Sequence, residues 1–119
     1  MSEIRVRAKV KVRDGRFDEF RAVGAELVSA VQASDPDTVA YAVYLNESTS
    51  TGIFLEHYGS SEGMLGHFEN VGGLFSKIFD LCDVEPMEVH GEPSPAALEA
   101  LNGFGLEITF YSTVSETTR

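Results

Sequence analysis

Residues 54–75 read FLEHYGSSEGMLGHFENVGGLF and bring together His57 and His67, with Glu56, Glu62 and Glu69 close by. Imidazole is the side chain suited to accepting and returning a proton near neutral pH, because its ordinary pKa is about 6.5. His67 follows Met64 by three residues and adjoins Phe68, which sets it on or beside the apolar stripe of a helix. A base there, with Tyr41 from the apolar side of an earlier strand, would line a pocket between sheet and helices. Tyrosine hydroxyls or Asn46 would hold a ligand's oxygens, and Phe68 would pack on its ring. His67 is thus the expected catalytic residue, and Tyr41, Asn46, His57 and Phe68 are the expected substrate-binding residues. The alternative is a structural histidine held by backbone, with Met64, Phe68 and Phe75 filling the space.

No other motif competes. Three histidines and one cysteine without an i, i+4 His pair or a CxxC do not make a metal site. The chain has no nucleophile elbow, P-loop or dinucleotide fingerprint, and its GFG at 103–105 precedes a strand, not a helix. Glu56 is expected to pair with Arg7 or Lys9 across strands.

The elements that must position these residues follow from periodicity. Ile4, Val6, Ala8, Val10 and Val12 alternate with Arg5, Arg7, Lys9, Lys11 and Arg13, a strand with one apolar face. After the Asp14-Gly15 turn, Phe17, Phe20, Gly24, Leu27, Val28 and Val31 recur at helical spacing to about Ala33. Strands are expected at 38–46 and 52–58, joined as a hairpin. Ser60 or Ser61 caps the next helix, and Gly72-Gly73 divides it into two short helices or bends it, with Cys82 on its final stripe. A strand at 84–91, a helix capped by Ser94 with Pro95 at its first position and Gly103 past its end, and a strand at 106–114 complete the order. This is an α+β chain with the ferredoxin-like βαββαβ order plus a C-terminal helix and strand, one domain over residues 1–119.

A sheet with helices on one face leaves the other to solvent or to another chain. The expected open face carries the cationic side of the first strand with Phe54, Glu56 and Tyr58 from the third; Ile53, Leu55 and His57 then face the helices. Its mix of aromatic and charged residues predicts an interface with a second copy.

The net charge is −10, with 43% hydrophobic and 24% charged residues, the composition of a soluble globular protein. Residues 1–30 hold seven Lys/Arg against five Asp/Glu, and residues 31–119 hold two against fourteen. An acidic surface repels phosphate backbones and anionic lipid, so neither nucleic acid nor membrane is an expected partner. The first residues lack an apolar run of signal-peptide length and no segment approaches a membrane span, which places the chain in the cytoplasm. Cys82 is the only cysteine, which excludes an internal disulfide and reads as a small buried hydrophobe.

The element order, the strand FLEHY, the turn GSSEG, the helix MLGHF and the following VHGEPS resemble the antibiotic-biosynthesis monooxygenase-like family of dimeric α/β barrels. Glu56 on the third strand followed by helical His67 matches a recurring family pattern. The resemblance covers roughly residues 3–114. It implies a homodimer pressed sheet against sheet, a pocket in each subunit, and cofactor-independent oxygenation of a small hydrophobic phenol or quinol. Ground-state dioxygen reacts poorly with closed-shell molecules, but an electron-rich phenolate or carbanion reduces it without metal or flavin. The haem-degrading branch looks to need a tryptophan near the pocket, and this chain has none. Isomerases, cyclases and non-catalytic ligand-binding barrels of the same superfamily are the alternatives.

Overall fold

The strict alternation of the first segment builds β1 (Ile4–Val12), and its apolar side is fully buried. In the computed structural model, which describes residues 3–117, this strand is the middle of a mixed sheet with path β2-β3-β1-β5-β6. Its partners are β2 (Thr38–Asn46), β3 (Thr51–Tyr58), β5 (Met87–His90) and β6 (Ile108–Tyr111), with the short β4 (Cys82–Val84) also on β1. The expected strand at 84–91 is thus two pieces. Pro86 has no N–H for the ladder, so pairing to β1 stops after Val84 and resumes at Glu88. The last strand runs parallel to β5 of its own chain.

Three helices cover one side of the sheet: α1 (Phe17–Ser34), α2 (Ser61–Leu81) and α3 (Pro95–Asn102). Phe20, Val23, Leu27 and Val31 of α1 meet Ala8, Val10 and Val12 of β1 and Val71, Ile78 and Leu81 of α2 in one cluster. Ile4, Val6, Tyr58, Met64 and Val89 gather with Ala97 and Leu101 of α3 in a second. Each such large side chain contributes about 1.5–3 kcal/mol when withdrawn from water. Close packing explains one glycine: a Cβ on Gly52 would stand 2.5 Å from the Phe20 ring.

Of the two candidate caps for α2, Ser60 accepts the Gly63 N–H at 3.0 Å, whereas the Ser61 hydroxyl accepts the Ser94 N–H at 2.9 Å and ties α3's start to α2. Ser94 in turn caps α3 through the Ala97 N–H. Gly72-Gly73 does not divide α2, which is continuous over 21 residues. Both glycines lie on its exposed side, while Val71, Phe75 and Ile78 keep the inner stripe unbroken. Cys82 leaves the helix, pairs with Val12 in β4, and is buried as a small hydrophobe.

The largest departure from expectation concerns β3. Its antiparallel register sets Tyr58 against Ile4, Glu56 against Val6 and Phe54 against Ala8, so these three share the helix-covered face. Ile53, Leu55 and His57 oppose Lys9, Arg7 and Arg5 and lie on the open face, the reverse of the assignment made from sequence. Arg7 and Lys9 therefore pair with Glu88 (3.6 Å) and Glu85 (4.0 Å) instead of Glu56. No helix among the described residues is long and apolar enough to cross a membrane.

Candidate active-site cavity

The inner face of the sheet, α2 and the segment that follows α3 line a cavity of about 80 Å³ that is open on one side. Aliphatic and phenylalanine side chains make nearly all of its wall; only Tyr41 and Glu56 bring polar groups. These two are direct partners across the β2–β3 ladder, which is why they arrive together. The register that turns β3 inward sets Glu56 beside Val6, between Phe54 and Tyr58. No lysine, arginine or histidine among the described residues lines the cavity.

A carboxyl in apolar surroundings resists ionisation, and burial pushes Glu56 up to about 7, against the opposing effect of the Tyr58 hydroxyl, which donates to Glu56 Oε1. At neutral pH this group is therefore poised between acid and base. Tyr41 and Tyr58 are both raised well above the ordinary phenol value, first by burial and then by the nearby Glu56. Both remain protonated donors across the working range.

Behind the tyrosines lies a second polar group. His67 is wholly buried; its Nδ1 is 2.7 Å from Asp35 Oδ2, and Asn70 donates to Asp35 Oδ1, also at 2.7 Å. The other ring nitrogen, Nε2, has no hydrogen-bond partner among the described residues. Burial lowers the imidazole below its ordinary value, partly offset by Asp35. The ring contacts Tyr41 (centroids 5.0 Å) and Tyr58 (5.2 Å), and so sits against the far side of both phenols without bordering the cavity.

Of the residues singled out in the sequence, Tyr41 and Phe68 line the cavity and His67 supports it from behind. Asn46 and His57 lie elsewhere. Asn46 is exposed at the end of β2, where its side-chain Oδ1 accepts from the Ser48 N–H and caps the short 3-10 turn Glu47–Thr49. His57 is on the open face with Nε2 2.6 Å from Glu3 Oε1. Glu56, expected in an ion pair on the open face, lines the cavity instead, as does Phe104 of the GFG segment, to which no role was assigned from sequence. The signal for Glu56 was its place in the alternation between Phe54 and Tyr58. Among the described residues no three His, Cys, Asp or Glu side chains converge to hold a metal ion.

No protein-family profile matches this sequence, and no curated protein matches it either. Solved structures do. MupZ from Pseudomonas fluorescens shares the fold at a TM-score of 0.79 and 21% identity, over 98% of this chain and 94% of that one. A protein from Caulobacter crescentus, named as a candidate antibiotic biosynthesis monooxygenase, superposes at 0.67 and 20% identity over 74% and 87% of the two chains. Rv0793 from Mycobacterium tuberculosis does so at 0.66 and 16% identity over 79% and 98%. The ferredoxin-like α+β fold expected from the resemblance is the fold these proteins have.

Proposed function

We propose that this chain is an antibiotic-biosynthesis monooxygenase-like enzyme that transfers a proton from an uncharged, ring-bearing small molecule and lets the resulting anion react with dioxygen. The observation that carries this reading is a lone carboxyl, raised to about 7, at the wall of an otherwise apolar cavity. In this reading Glu56, not His67, is the base. Glu56 removes a proton from a phenol, or from a ring carbon beside a carbonyl, and the Tyr41 hydroxyl donates to the oxygen on which negative charge collects. The carbanion adds dioxygen; the peroxide takes back the proton from Glu56; and loss of water from the hydroperoxide leaves a new carbonyl. One oxygen atom stays in the product and the other leaves in water. His67 is a positioning residue that fixes the two phenol rings from behind.

The cavity wall also bears on substrate class. Without a cation to pair with, a carboxylate or phosphate group would be stranded in apolar surroundings beside Glu56, at a cost of several kcal/mol. Carboxylated analogues are therefore expected to be poor ligands. Proton transfer without oxygen, as in an isomerase or cyclase, is the second reading, since the same carboxyl could return the proton to another carbon.

The test is dioxygen uptake by the purified protein over a panel of uncharged quinols and polycyclic phenols. Glu56→Gln is expected to lower turnover at least a hundredfold, the low end of general-base catalysis. His67→Gln should reduce the rate while leaving the midpoint of the pH profile near 7. If Glu56→Gln consumes oxygen at the wild-type rate, the carboxyl is not the base. If product forms without oxygen uptake, the isomerase reading takes its place.

A further inference from the structure

The cavity is closed on one side by a side chain that no part of the proposed chemistry requires. Phe104 stands on the segment 103–107 between α3 and β6, with Gly103 before it and Gly105 after it, the latter at φ +69. Its ring packs edge-on against Phe68 (5.1 Å, 82°) and Phe75 (5.7 Å, 77°), both from α2, and lines the cavity with them. The segment is held from its start by backbone bonds to the last turn of α3, Phe104 N–H to Leu101 and Gly105 N–H to Asn102, each at 3.2 Å. That turn is anchored in the core by buried Ala97 and Leu101. An added Cβ on Gly105 would meet nothing within 4 Å, so that glycine answers to backbone conformation and not to packing.

Apart from Leu106, which shares this segment, the rest of the wall is built differently. Val6, Ala8 and Phe54 belong to paired strands at the middle of the sheet, and Phe68 and Phe75 to a 21-residue helix, so their backbone cannot shift without breaking ladder or helix hydrogen bonds. Phe104 stands outside every strand and helix, so it can shift at the cost of only the few backbone bonds that tie its short segment to α3. From this contrast we infer that Phe104 is the specificity-determining wall of the cavity, the residue that sets how large a ring system enters. The inference rests on the cavity being the ligand site, and it deepens that reading by making its size limit the property of one side chain. Three phenylalanines meeting edge to face favour a flat, uncharged aromatic guest, because the exposed ring faces and edges can pack on one in the same way.

Two uncharged fluorophores test this: 1-aminonaphthalene, with two fused rings, and 1-aminoanthracene, with three, titrated into wild type, Phe104→Ala, Phe104→Trp and, as a control on the fixed wall, Phe75→Ala. The expected result is that Phe104→Ala binds the three-ring probe at least tenfold more tightly relative to the two-ring probe than wild type does. Phe104→Trp should weaken both. An unchanged ratio in Phe104→Ala, in protein whose circular dichroism and melting match wild type, overturns the assignment. So does an equal change of ratio in Phe75→Ala, which would make the limit a property of the whole wall. If no probe enters any variant, both this inference and the ligand site fail. If Glu56→Gln abolishes turnover while Phe104→Ala leaves the size preference alone, the site stands and only the wall assignment falls.

Discussion

At the scale of single residues, Glu56 couples function to stability. Its folded carboxyl titrates near 7 and its unfolded one near 4.5, so its share of stability is intact below 4.5 and is lost as pH climbs through 7. The loss amounts to about 3 kcal/mol, since each pKa unit is worth about 1.4 kcal/mol. Glu56→Gln keeps an acceptor for the Tyr58 hydroxyl and removes the titration. Urea denaturation should therefore find the variant similar to wild type at pH 4.5 and more stable by a few kcal/mol at pH 8; equal stability at both pH values would mean that the carboxyl is better solvated than its surroundings imply. His67 and Asp35 show why the site was only half legible. The sequence pointed to His67 because histidine near an apolar stripe stands out, but its acid partner lies 32 residues away and is brought in by the end of α1. Glu56 looked ordinary because cationic residues stand on β1, the neighbouring strand, and nothing in local spacing says that they point to the other face.

Among the elements, β1 and β3 make the contrast plain. β1 carries all its charge on one side, so periodicity alone assigns its faces. β3 has one polar and two apolar residues on each side, Phe54, Glu56 and Tyr58 against Ile53, Leu55 and His57, and its orientation is decided by register with β1, a long-range property. The same limit applies to α2. Two adjacent glycines would break an isolated helix, yet here the stripe on either side is buried and packing overrides propensity. Because added Cβ atoms at Gly72 and Gly73 would meet nothing within 4 Å, alanine at either position should stabilise the protein by about 1 kcal/mol. Thermal unfolding checks this, with an expected rise in Tm of several degrees for the pair; a fall would show that the outer side of α2 is in contact with something.

For the whole molecule, the open sheet face is the feature that asks for a partner. The Arg5, Arg7 and Lys9 side of β1 is answered within the chain by Glu116, Glu88 and Glu85, all exposed pairs of small worth. What the pairs do not cover is apolar: Tyr44 (56% exposed), Leu55 (43%) and Tyr111 (49%) on the same face. We propose that a second copy covers them. Leu55→Asp should then sediment as a monomer at concentrations where wild type is a dimer, and a wild-type monomer would remove the closed-barrel arrangement altogether. Cys82 is sealed where α2 gives way to β4, and burial pushes it up to about 11, so a thiol reagent cannot react with it in the closed protein. Its labelling rate is thus a clock built into the chain: each modification records one opening of the seam between α2 and β1, and its dependence on denaturant separates local breathing from global unfolding.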